Sequence, residues 1–187
     1  MRLLPPDPPL GDGTVVLRPW QEVDAPAIVA AIDGDPEIAA WLDAIPQPYR
    51  LADARAYLAA CRRSWADGSG APFAILDTRS GSVAGSIGAR FFDPVRSVAE
   101  VGYWVAREAR RRGVATRALR VLARWLLDEL GVARVQLQAD LRNEASQRVA
   151  EKVGFTREGV LRSSRFNERR GRVDFVIYSL LPGELRG

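Results

Sequence analysis

The sequence predicts an α+β fold, a mixed and mainly antiparallel sheet with helices on both faces. Three observations carry this. From residue 72 the apolar pattern alternates through PFAILD and SVAGSIGARF, joined by TRSGS, a short Gly-containing turn suited to a hairpin. Two later strands, AEVGYWVA at residues 99–106 and the segment Val135 to Ala139, are separated by a long helical pattern, so the crossover rule makes them parallel. Segments of helical period also precede the hairpin and follow the second parallel strand.

Taken in order, residues 1–13 form a proline-rich arm expected to be extended and poorly packed, and residues 14–187 form a single domain. TVVLRP is the first strand. Asp24 is placed to cap a helix over Ala25 to Ile32, with Pro26 in its first turn, where a missing N–H does no harm. Gly34 and Pro36 interrupt it before a short helix through Ile38 and Leu42. The loop DAIPQPY brings Trp41 and Tyr49 close in sequence, as caps on a core or as walls of a site. A longer helix runs from Leu51 to Trp65, with Ala54, Tyr57, Leu58, Cys61 and Trp65 on one face; Cys61 reads there as a small core residue. After the hairpin and the 99–106 strand, a helix reaches Leu130, presenting Leu119, Leu122, Ala123 and Leu126 to the sheet and stopping at Gly131. Asn143 caps a helix that Gly154 ends. The last strand is Arg172 to Leu180, which brings the sheet to six or seven strands.

Composition narrows the chemistry. At 187 residues and 47% apolar content the chain can bury one sizeable core. It has no apolar run of membrane-spanning length and no signal-peptide block, which predicts a cytoplasmic protein with no membrane partner. One cysteine and no histidine leave no thiolate cluster, remove the commonest metal ligand and imply no metal; any general base is a carboxylate, a tyrosine, an amine or water. The net charge is +4, but Lys152 is the only lysine and arginine is spread along the whole chain. That is a compositional habit, and no base-stacking module accompanies it, so no specific nucleic-acid partner is expected.

The segment from Glu100 to Thr116 reads as strand, turn and helix start. A helix start leaves its first N–H groups unpartnered and carries positive partial charge, so the turn feeding it can hold phosphate oxygens with main-chain atoms. Gly113 and Ala115 give two positions with little or no side chain, and Arg110, Arg111 and Arg112 add charge. A solvated basic turn before an ordinary surface helix has the same local signature.

With AEVGYWV, Arg110-x-x-Gly113-x-Ala115 opening a helix, and Asn143-x-x-Ser146 followed by Lys152-Val153-Gly154-Phe155, the chain resembles the GNAT N-acetyltransferases, RimJ/RimL-like branch. The order of elements agrees from Val15 to Leu180. The resemblance implies that residues 14–187 are an acetyltransferase domain, with acetyl-CoA as co-substrate and a primary amine as acceptor. It implies that the fourth and fifth strands splay apart and that the pantetheine arm lies in the gap. Trp104, Val105 and Ala106 would lie along the arm, the backbone of Arg110, Arg111, Arg112, Gly113, Val114, Ala115 and Thr116 would hold the pyrophosphate, and Asn143 would bond the arm from the other side, a role compatible with helix capping. In such proteins the acid is often a tyrosine seven residues after the asparagine, where this chain has Ala150. RimL-like members use a serine, matched by Ser146. Their carboxylate falls here at Arg165, so the base does not carry over.

Two carboxylates remain as base. Glu100 shares a strand face with Gly102 and Trp104, where it either orders a water for deprotonation or forms a salt bridge; Glu168 lies in the stretch RSSRFNERRGR expected to border the acceptor. At neutral pH roughly a tenth of chain α-amines are uncharged, against about one in a few thousand lysine amines, so a site without histidine suits an α-amine. A protein or peptide N-terminus is therefore the expected acceptor. An aminoglycoside or other small amine, a CoA-binding module without turnover, and a homodimer all stay open.

Overall fold

The computed structural model describes residues 3–42, 45–91, 97–167 and 170–186. Its elements are β1 (Leu10–Gly11), β2 (Val15–Pro19), α1 (Ala25–Asp33), α2 (Pro36–Trp41), α3 (Leu51–Asp67), β3 (Gly70–Asp77), β4 (Val83–Phe91), β5 (Val98–Val105), α4 (Val114–Arg124), β6 (Arg134–Asp140), α5 (Glu144–Val153), β7 (Thr156–Asn167) and β8 (Gly171–Leu180). The strands form one sheet in the order β1-β2-β3-β4-β5-β6-β8-β7, antiparallel except for the parallel β5–β6 pair.

Both faces are covered, as expected. Along β3 the alternation sends Phe73 and Ile75 into one core, with the α4 and α5 residues Leu119, Leu122 and Val153, and Ala74 into the other, with Ile28, Leu58 and Cys61 of α1 and α3. Leu119, Leu122 and Leu126 are fully buried, each stabilising the fold by about 1.5–3 kcal/mol. Past Arg124 the helix widens into a π-helical turn over Trp125–Glu129, and Gly131 (φ 65°) ends it.

Three expectations are corrected. The sheet has eight strands among the described residues, because the 162–167 stretch belongs to β7, which pairs with β8 as a hairpin, and because β1 pairs with Val16 and Leu17. The arm is also better packed than its prolines imply: Leu3 is buried and its N–H donates to Trp65 O at 3.3 Å. Finally, Asp24 does not cap α1 with its side chain. Its carboxylate accepts from both Arg18 terminal nitrogens (2.7 and 2.8 Å) and from the Gln21 N–H (2.8 Å). Burial alone would raise that carboxyl, yet these bonds hold it below the usual carboxylate range.

Candidate active site

The β5–β6 pair is short. Its register runs from Val98↔Arg134 to Val101↔Leu137 and stops, whereas β5 stays paired with β4 to Val105, and β6 with β8 to Asp140. From Gly102 on one side and Gln138 on the other, the two strands are no longer bonded to each other. This is the splay, and it opens in the middle of the sheet. The Ala106 N–H donates to Ala84 O on β4 (2.9 Å), so by strand alternation the N–H groups of Tyr103 and Val105 point the other way, into the gap. Ala106 itself is committed, since its carbonyl accepts from the Ala109 N–H at 2.9 Å and its side chain is buried. Of the three residues expected along the gap it therefore has no free main-chain group to offer. Trp104 turns its indole to the α1–α3 face, stacked on Trp20 at 6.4 Å, so its indole is held against that layer.

A cavity of about 800 Å³ passes through the gap and joins the two faces. On the α1–α3 side its walls include Trp41, Tyr49, Tyr57, Glu100, Arg165 and Phe175; on the α5 side they include Tyr103, Asn143 and Ser146. Trp41 and Tyr49 thus serve the site, and Tyr49 is core as well.

Glu100 sits on the floor of the first side, with a side chain 15% exposed. One oxygen accepts from Gln138 Nε2 (2.9 Å) and Gln136 Nε2 (3.2 Å); the other faces Arg165 (3.5 Å) and Arg90 (3.7 Å). Arg165, standing where the resemblance expects a carboxylate, lies over the Phe175 ring at 4.7 Å and also donates to Gln138 Oε1 (3.3 Å). The salt-bridge reading of Glu100 is therefore realised, at a position that also faces the cavity. Glu168 lies outside the described residues.

On the other side, Asn143 Oδ1 accepts from the Ser146 N–H (3.1 Å) and caps α5. Ala150, one turn after Ser146, is fully buried core. The phenol that sequence reasoning sought at that position comes instead from β5: Tyr103 Oη is 3.0 Å from Ser146 Oγ. Burial pushes the Tyr103 phenol up to about 12, the bond to Ser146 opposing the rise. Tyr103 was missed as a site residue; its signal was a polar-tipped ring at an alternate position of a buried strand, which needs a partner for its hydroxyl.

The turn behaves partly as expected. Gly113, with φ 77°, is the N-cap of α4 and no side chain bonds the cap. The first intrahelical donor is the Arg117 N–H (to Gly113 O, 3.0 Å), so the N–H groups of Val114, Ala115 and Thr116 lack helical partners, and a Cβ built on Gly113 meets nothing within 4 Å. Arg111 is exposed in the left-handed region (φ 58°). The other two arginines carry less free charge than the sequence implied. Arg110 pairs with Asp35 and with Glu37 (2.6 Å) and donates from Nε to Val105 O (3.1 Å), while Arg112 pairs with Asp77 (2.5 Å). Their local work is to brace the turn against α2 and β3. Among the described residues no cluster of potential metal ligands occurs.

The GNAT acetyltransferase domain pattern matches residues 14–156. YdaF of Bacillus subtilis strain 168, provisionally named a ribosomal N-acetyltransferase, is 37% identical over 126 residues, 67% of each chain. Among solved structures, an acetyltransferase from T. thermophilus is 31% identical with a TM-score of 0.79, covering 97% of this chain and 93% of that one. RimJ of Mycobacterium smegmatis, solved in complex with CoA-disulfide, superposes with a TM-score of 0.84 over 96% of this chain and 88% of that one; at 22% identity it speaks to the fold alone. The splayed sheet, the strand-turn-helix and these matches agree, and the chain belongs to the GNAT family as an N-acetyltransferase of the RimJ/RimL-like branch.

Proposed function

We propose that the chain moves an acetyl group from acetyl-CoA directly to the α-amine of a protein or peptide N-terminus. The observation that carries this reading is one cavity crossing the sheet through the β5–β6 gap, with a carboxylate on one face and a hydroxyl on the other. Acetyl-CoA supplies an acyl group activated as a thioester. The main-chain N–H groups of Gly113 to Thr116 suit its diphosphate, those of Tyr103 and Val105 suit its arm and the oxyanion, and the Asn143 amide N–H₂ is left over from capping to bond the arm. The acceptor amine enters from the α1–α3 side. There Glu100 orders a water that takes the amine's proton, and across the gap Ser146 donates a hydrogen bond to the departing sulfur.

An α-amine is favoured over a lysine because Glu100 is held by two glutamines and two arginines, and such a group assists an amine that is already partly neutral. YdaF, provisionally named for ribosomal acetylation, points the same way. A small amine such as an aminoglycoside fits the same chemistry, and a module that binds CoA without turnover is the reading from a different class.

Release of CoA thiol from acetyl-CoA with a panel of peptides, an aminoglycoside and no amine decides among these. Peptide-dependent release supports the proposal, whereas binding of acetyl-CoA without release for any amine rejects it in favour of the module. In the same assay Glu100→Gln should move the rising limb of the pH-rate profile to higher pH, because the reaction then waits for the amine to lose its own proton. A profile and maximal rate equal to wild type would place the base elsewhere, with Glu168 next to test.

A further inference from the structure

We propose that Tyr103 is a positioning residue that aims the Ser146 hydroxyl at the leaving sulfur. The inference rests on the reading of the chain as an acetyl-CoA-dependent transferase. Its basis is the 3.0 Å contact between Tyr103 Oη, reaching from β5, and Ser146 Oγ, on the first turn of α5.

The distance permits either hydroxyl to donate, and chemistry chooses between them. A phenol is a far stronger acid than an alcohol and hence the better donor. The reverse arrangement would leave the phenolic hydrogen, in a confined position, with no acceptor among the described residues. With Tyr103 donating, Ser146 Oγ has one lone pair filled and its own hydrogen must point away from the phenol. The Ser146 N–H is already spent on Asn143, and both Ser146 and Tyr103 line the cavity, so the open direction is the gap. Residues 146 and 150 lie one helical turn apart on the same face of α5. Ala150 presents only a methyl group there, and the hydroxyl partner for Ser146 arrives from the strand instead.

The electron balance requires no transfer from Tyr103. The C–N bond forms, the C–S bond breaks with its pair going to sulfur, the amine's proton leaves on the Glu100 side, and sulfur is protonated by water after its charge has been stabilised by the Ser146 hydrogen bond. Tyr103 keeps its proton throughout. Its phenol, pushed up to about 12, stays a donor over the whole range in which an α-amine becomes neutral.

The test is a titration of CoA bound to the whole protein, read by the near-ultraviolet absorbance of the thiolate, and it needs no acceptor and no turnover. The bound thiol should titrate about one pH unit below free CoA, since a hydrogen bond to a charged form favours that form. The N-terminus of α5 also favours a thiolate, so the differences between variants carry the decision. Ser146→Ala should remove most of the shift, Tyr103→Phe about half of it, and the double variant should match Ser146→Ala, with CoA affinity unchanged in all three. A Tyr103→Phe titration identical to wild type overturns the proposal. So does a double variant shifted beyond Ser146→Ala, since Tyr103 would then act independently of the serine. If no amine is ever acetylated, the transferase reading fails by itself and this titration still reports on the pair.

Discussion

Gly113→Val should weaken acetyl-CoA binding by about 100-fold while the protein stays folded. Two charge-assisted bonds from main-chain N–H groups to a diphosphate contribute about 1.5 kcal/mol each at the low end, and losing both is a factor of about 100 in affinity. Nothing in the protein lies within 4 Å of a Cβ at this position, so a valine side chain stands in the space the phosphates would occupy and strikes no neighbour. The backbone at φ 77° is a separate cost, about 1–2 kcal/mol of stability for a residue with a Cβ. Gly113→Ala carries most of that strain with far less bulk, and the two variants together distinguish strain from occlusion. Calorimetry showing equal dissociation constants for wild type and a folded Gly113→Val protein would remove the main-chain cradle from the account.

Ser146→Ala should lower turnover by ~10²-fold, the scale of a single proton-handling group, with acetyl-CoA affinity nearly unchanged. The substitution is clean in two respects. Asn143 caps α5 through the Ser146 N–H, which alanine retains, and alanine is the better helix former. It does leave the Tyr103 hydroxyl without its partner, so thermal unfolding should be followed alongside the kinetics. A variant with wild-type turnover would mean that the departing sulfur is served by water alone.

Most of the architecture could be read from the chain because it is written in periods. The hairpin of β3 and β4, the parallel β5–β6 pair and the caps at Asn143 and Gly154 follow from alternation, from the crossover rule and from local turn chemistry. β7 was missed for a physical reason. Most of the residues from Thr156 to Arg165 are exposed and polar, so the strand is held by its ladder to β8 and carries no apolar period of its own. The site divides in the same way. The turn at Gly113 and the Asn143–Ser146 pair are local in sequence, and they were found. The partners of Arg110 and Arg112 sit 75 and 35 residues away, and the Tyr103–Ser146 and Glu100–Arg165 pairs span 43 and 65 residues. Arginines that read as free charge were therefore already neutralised by carboxylates. A tyrosine inside a recognised strand motif became a site residue only when the sheet brought it against α5.

The central claim is acetyl transfer to an N-terminal α-amine, and the most direct measurement is mass-spectrometric mapping of product from a peptide with one free N-terminus and one internal lysine, incubated with acetyl-CoA and the protein. The account predicts a single acetyl group on the N-terminal nitrogen, absent when protein or acetyl-CoA is withheld. Acetyl groups on the lysine alone, or an unmodified peptide under conditions where acetyl-CoA binds, would contradict it.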